Sequence, residues 1–318
     1  MKTKSLIKCS LAIAGLTLGM ASCDKDSQTE QEIASLEVPE KVIPFNKAVE
    51  EYNNFYNTRI APFQGKSSVD ETRAVWFDLE ALENHLQKIE TVSQEKGIEV
   101  TGLSFILGAD ENNKRTVIIA PMAIHPKTAV DMPFSIDNNT ITFLDNTAFD
   151  KYSNVTDLTA LTNTNQSLLL STNGYISSAD AIITYNTYYD TKVAPFSDIV
   201  KNDTRICYYK KGIFAEYIDF LKKQASINNI TISGLNIVFG VYNNDVSLGE
   251  YANHQTLFLA PTALEAKSNT NESYSFNGKQ TLKLDFNKHT FDKIIEKGNT
   301  GQSSTTNELS GTPPLGNK

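Results

Sequence analysis

The chain has 318 residues, 29 Lys and Arg against 37 Asp and Glu, and a formal charge of −8 at neutral pH. That balance argues against nucleic acid, whose phosphates demand clustered cations, and against direct adsorption to anionic lipid. With 40% apolar residues and 9% aromatics, the chain is long enough to bury a substantial core.

At the N-terminus Lys2, Lys4 and Lys8 precede the apolar run Cys9 to Gly19, a basic region followed by an apolar region of secretory-signal length. Such a run rises only about 16 Å as a helix, roughly half a bilayer's hydrocarbon core, so it is too short to span. No later stretch approaches about twenty apolar residues. Met20, Ala21, Ser22 and Cys23 resemble the lipobox of bacterial lipoproteins, with Met20 standing where leucine is usual. The resemblance implies cleavage before Cys23, a diacylglyceryl group on its thiol and acylation of the new amino terminus. Each buried methylene contributes about 0.8 kcal/mol, so two or more acyl chains hold stably where one holds weakly. The bland alternative is an ordinary signal peptide cleaved nearby, with a cysteine there by chance. Removing residues 1–22 takes away three lysines and no acid, leaving 26 basic and 37 acidic residues and a formal charge of −11. Cys207 is then the one thiol without a lipid, so no intramolecular disulfide is expected, and its apolar setting RICYY reads as a small buried hydrophobe.

The next feature is a duplication. ETRAVWF (71–77) matches DTRICYY (203–209), and the same offset carries Leu82 to Phe214, Leu86 to Ile218, Gly102 to Gly234 and Gly108 to Gly240. Upstream, YNTRIAPF (56–63) matches YDTKVAPF (189–196); downstream, RTVIIAPMAI (115–124) matches QTLFLAPTAL (255–264). The offset changes between these blocks as loop insertions change it. In chain order each copy gives a helix (46–57, 178–189), the second preceded by Ser177 and Asp180 at capping-box spacing. A short strand follows (73–77, 205–209), then a longer helix with Leu79, Leu82, Leu86, Ile89 and Val92 on one stripe. Two strands come next (98–107 and 115–120; 230–241 and 255–260), with a further strand at 140–144 and 281–284. Gly102 and Gly234 are expected to mark a bulge or a close backbone approach, and Pro121 and Pro261 to end their strands.

The expected fold class is α+β: two tandem homologous α-β-α-β-β units, mainly antiparallel sheets with helices on one face. The expected layout is a signal peptide (1–22), an acidic flexible tether (23–42), unit one (43–151), a linker (152–175), unit two (176–295) and a disordered polar tail (296–318).

Polar residues kept in both copies are few: Glu71 with Asp203, Thr72 with Thr204, Arg73 with Arg205, Asp145 with Asp285, and Asp150 with Asp292. Arg73 and Arg205 are candidate contacts for an anion or a partner, since guanidinium suits bidentate carboxylate recognition. The alternative, favoured because both copies use them, is that each arginine orders its own domain. His85, His125, His254 and His289 recur at no equivalent position, and none has metal-ligand spacing. His85 aligns with Tyr217 and reads as a core residue. No catalytic signature or phosphate-binding loop is present, no cofactor is implied, and YNNDVSLGE (242–250) lacks calcium-loop spacing. Acidic pairs could serve glycoside hydrolysis, and Tyr188, Tyr189, Tyr208 and Tyr209 could meet carbohydrate, although their spacing makes most of them core first.

Thr72 to Phe77, Glu216 to Ile218, and Gly102 with Gly108 resemble motifs of a set of uncharacterised lipoproteins from Bacteroidota-type bacteria. Asp24, Lys25 and Asp26 also resemble charged surface-export signals of such lipoproteins. The resemblance implies an outer-membrane address, surface-exposed or periplasm-facing, and carries no activity with it. The expectation is therefore a lipid-anchored, non-enzymatic binding or assembly module with a protein or glycan partner. The alternative is an envelope hydrolase with acidic residues in the cleft between the two units.

Overall fold

The computed structural model describes residues 37–64, 70–137, 139–144, 167–198, 203–265, 269–277, 280–291 and 310–312, all within the unit Leu36–Lys318. Cys23, the tether's first residues, Asp145, Asp150 and Asp292 lie outside them. The fold is mixed α and β with antiparallel sheets.

Helix α1 (Phe45–Phe55) leads into a wide π turn (Tyr56–Ile60) and a short 3-10 turn (Ala61–Phe63). Helix α3 (Ser178–Tyr188) does the same through Tyr189–Val193 and Ala194–Phe196. In the widened turns the hydroxyls of Thr58 and Thr191 donate to the carbonyls of Asn54 and Thr187, at 2.6 Å each. Pro62 and Pro195, which have no N–H to continue the ladder, follow at once. Ser177 and Asp180 form the full capping box at the start of α3. Helix α2 (Leu79–Lys96) is capped by the Asp78 carboxylate, which accepts from the Ala81 N–H, and ends on Gly97 in the left-handed region. Helix α4 (Ile213–Ile227) is its partner in the second half of the chain.

Two sheets carry these helices, and each is made from both halves of the sequence. Sheet one runs β1 (Ala74–Asp78), β9 (Ile232–Val241), β10 (Gln255–Glu265), β11 (Thr270–Asn277), β12 (Gln280–Leu284). Sheet two runs β13 (Ser310–Thr312), β8 (Ile206–Lys210), β2 (Gly102–Ala109), β3 (Arg115–Ile124), β4 (Asp131–Asp137), β5 (Thr140–Phe143), with β6 (Leu169–Ser171) and β7 (Gly174–Ile176) attached to β3. The ETRAVWF strand thus pairs with ISGLNIVFG in the second half, and the ICYYK strand pairs with GLSFILGA in the first. The first helices follow the same rule. Val49 and Tyr52 of α1 pack on Val238, Phe258 and Ala260 of sheet one. Ala181, Ile182 and Tyr185 of α3 pack on Ile106, Ile118 and Ile206 of sheet two.

The opposite faces of both sheets share one core with α2 and α4, among them Phe105, Leu107 and Val117 of sheet two, Leu235, Ile237 and Leu257 of sheet one, and Leu82 and Leu221. Each such side chain contributes about 1.5–3 kcal/mol on burial. Helices therefore lie on both faces of the sheets rather than on one. Covering on both faces also explains why GLSFILGA is buried at every position and reads as a continuous apolar run without alternation. Gly102 and Gly234 are positions of close approach: a Cβ there would run into the carbonyl oxygens of Tyr209 and Phe77.

Three sequence expectations change. Pro121 and Pro261 lie inside β3 and β10 instead of ending them. Each falls one residue before the far-side neighbour begins to pair, at Met122 with Pro133 and at Thr262 with Ser273. On that side no ladder bond is lost. Strands β4 and β11, unforeseen in the sequence, fill those far sides. Residues 169–175, read as linker, supply β6 and all but the last residue of β7, and residues 310–312, read as tail, form β13.

Candidate binding site

The starts of β1 and β8 are fixed by two buried charge clusters. The π turn directs Arg59 inward, where Nε donates to Asp203 Oδ2 at 2.9 Å and the guanidinium also reaches the Asn253 carbonyl. Both side chains are about 1% exposed. Asp203 further accepts from the backbone N–H groups of Thr204 and Gln255 and from the Gln255 amide. In the other half, Lys192 stands 3.5 Å from Asp70, which accepts from Arg115 through backbone and side chain and from the Thr72 N–H. Burial works to raise the Asp70 pKa, but Arg115, Thr72 and Lys192 together hold it below the ordinary carboxylate value. The acid matching Asp203 in its contacts is therefore Asp70. Glu71, its partner in the ungapped alignment, is half exposed, 3.7 Å from Arg73 and 3.8 Å from His289.

Arg73 is buried; it donates to the Tyr52 hydroxyl and to the Lys288 carbonyl and lies 5.2 Å over the Tyr56 ring. Arg205 stacks on Tyr185 and Tyr189 at 4.4 and 4.7 Å. Each guanidinium is thus set against the aromatic pair of the helix that precedes it in sequence. Of the four tyrosines considered for sugar contact, Tyr188 and Tyr209 are buried, Tyr208 is half-buried, and Tyr189 is exposed.

Two clefts open beside β1. The larger, about 910 Å³, is walled by Thr72, Ala74 and Val75 on one side and by the β2–β3 turn, β6–β7 turn and α3 on the others. Its charged groups are Asp110, Glu111, Lys114, Arg115 and Asp180. The smaller, about 310 Å³, gathers Glu71, Arg73, Glu272 and Asp285 with Asn236, Asn271 and Asn287. Both draw residues from each half of the chain. Farther along β1, Trp76 lies over Gly234, where no side chain intervenes, and its indole N–H donates to Thr262 Oγ1 at 2.9 Å. No sequence signal pointed to these residues as cleft walls, because they come together from both halves of the chain.

Cys207 is fully buried, and burial pushes its thiol up to about 12. His85 is fully buried beside Tyr175 and Lys88; its ring faces the Ile119 backbone, though neither nitrogen reaches hydrogen-bond geometry. Burial, with the Lys88 charge, lowers its pKa from 6.5 to about 3. The folded state thus keeps it neutral while the unfolded chain takes up a proton below about pH 6.5. Its contribution is full above that pH, is lost as pH falls toward about 3, and totals about 5 kcal/mol. His85→Phe is expected to flatten this part of the stability–pH curve relative to the parent chain, measured by urea denaturation between pH 4 and 7; equal slopes in both proteins would contradict a buried neutral imidazole.

No group of three or more His, Cys, Asp or Glu is placed to hold a metal ion among the described residues, and none of their helices is long and apolar enough to cross a membrane. No known protein family, curated protein or solved structure matches the chain.

Proposed function

We propose that the protein is a lipid-anchored component of the cell envelope, held to the outer membrane through Cys23, whose folded part is a non-enzymatic binding or assembly module. That part is a duplicated α-β-α-β-β unit in which the two copies have exchanged their first helix and first strand. The lipobox-like sequence before Cys23 supports the anchor. The matched succession β1-β9-β10-β11-β12 and β8-β2-β3-β4-β5 supports the duplication. The observation that carries the binding reading is the broad cleft backed by the side of β1 on which no strand lies among the described residues. A second reading, an envelope hydrolase, draws on the carboxylates of Glu71, Glu272 and Asp285 around the smaller cleft.

Cys23→Ser tests the anchor. The parent chain is expected to incorporate labelled palmitate and sediment with membranes, and the variant to do neither; equal labelling and sedimentation of both would reject it. Crosslinking of the parent chain in intact envelopes tests the module, which predicts a discrete adduct that persists when Glu71 and Asp285 are changed to Gln and Asn.

A further inference from the structure

We propose that β1 is a docking edge for an extended, uncharged or basic segment of a partner polypeptide, which adds to sheet one as an antiparallel strand. The inference rests on the duplicated, binding-module reading and names the ligand class for it. In sheet two the matching strand, β8, is not an edge. The chain's own β13 pairs with it antiparallel, Ser310 opposite Tyr208 and Thr312 opposite Ile206. In sheet one, β1 ends the order, and among the described residues no strand lies on its far side.

The two strands are held in the same register. The Phe239 N–H donates to the Arg73 carbonyl and the Leu107 N–H to the Arg205 carbonyl, both at 2.8 Å. Antiparallel ladders alternate, so Arg73, Val75 and Phe77 turn their backbone groups to β9. Ala74 and Trp76 therefore turn theirs outward, as Ile206 and Tyr208 do opposite β13. Natural edges are blunted by lysine, proline, inward charge or a bulge. Ala74, Val75, Trp76 and Phe77 carry none of these, and the β1–β9 register is unbroken.

The space beside this edge is the larger cleft. The β9–β10 loop, at the place that the β2–β3 turn holds in the first half, is longer and includes the turn Val246–Tyr251. Asp110 and Glu111 stand with Lys114 and Arg115 on the β2–β3 turn, Asp180 stands on α3, and Arg115 is already committed to Asp70. The remaining field is acidic, which disfavours an acidic segment and accepts a neutral or basic one. Strand addition of this kind draws its affinity from backbone hydrogen bonds and its selectivity from alternate side chains.

Peptides selected from a linear phage-displayed library against the mature full chain provide the test. Bound peptide is expected to slow amide exchange at Ala74 and Trp76 and to change the fluorescence of Trp76, the chain's one tryptophan. Ala74→Pro removes an outward donor while leaving the β9 pairing intact, and should weaken binding about tenfold. Methylating alternate backbone nitrogens of the peptide should do the same with the protein unchanged. Peptides that survive both changes and leave the two amides exchanging freely overturn docking on β1, as does a selection that enriches nothing. The envelope crosslink separates the two readings: its persistence in Ala74→Pro would retain the binding module and reject this edge, and its absence from the parent chain would reject the module itself.

Discussion

Asp203→Ala is expected to lower the stability of the fold by about 3–5 kcal/mol, the cost of leaving a buried charge without its partner. Arg59 is about 1% exposed, so water cannot take the place of the lost carboxylate. The same change strips acceptors from the Gln255 and Thr204 N–H groups and from the Gln255 amide. Against a typical total of about 5–15 kcal/mol, such a loss is a large fraction of the stability. The urea midpoint of the variant measures it. Arg59→Met combined with Asp203→Ala should recover a large part of the loss, since removing both charges leaves none unpaired. Lys192→Met should cost less than Asp203→Ala, because Arg115 remains on Asp70. Equal midpoints for parent and Asp203→Ala would mean that this cluster does not hold the two halves together.

Local structure was legible where a short window contains its own physics. The stripe from Leu79 to Ile89 specified α2, the Ser177 and Asp180 spacing specified the start of α3, and the glycines at 102 and 234 marked close approach. Strands β4 and β11 escaped because the proline of DMPFSID and the asparagines and serines of TNESYSFN read as turn residues, although Met132, Phe134 and Ile136 alternate; they are strands by virtue of β3 and β10 beside them. Partner choice was illegible for a deeper reason. Where the two halves of a chain match in sequence, as 71–77 matches 203–209, that match is silent on whether the first strand pairs with its own half or with the other. Arg59 and Lys192 sat in plain view within YNTRIAPF and YDTKVAPF, a basic residue at the same place in both. Their acids went unrecognised, and the ungapped alignment set Glu71 opposite Asp203 where Asp70 serves. The candidate clefts inherit this illegibility, since their walls come from both halves.

Severing the chain between residues 160 and 161 tests the proposed exchange most directly. The first fragment keeps β1 without β9, and β2 to β5 without β8 and α3; the second keeps β9 to β12 without β1 and α1. Each then exposes apolar strand faces that the other covers, and each retains one member of the Arg59–Asp203 and Lys192–Asp70 pairs. Neither fragment is expected to fold as a monomer, and a self-associated dimer is the folded state open to either one alone. Mixing them should restore a 1:1 complex with the near-ultraviolet circular dichroism and Trp76 emission of the intact chain, which size-exclusion chromatography with light scattering resolves from either homodimer. Two tandem, self-contained units make the opposite forecast, because each would carry its own first strand home. A fragment that unfolds cooperatively as a monomer, with full tertiary signal and no partner, would refute the exchange and with it the composition of both clefts.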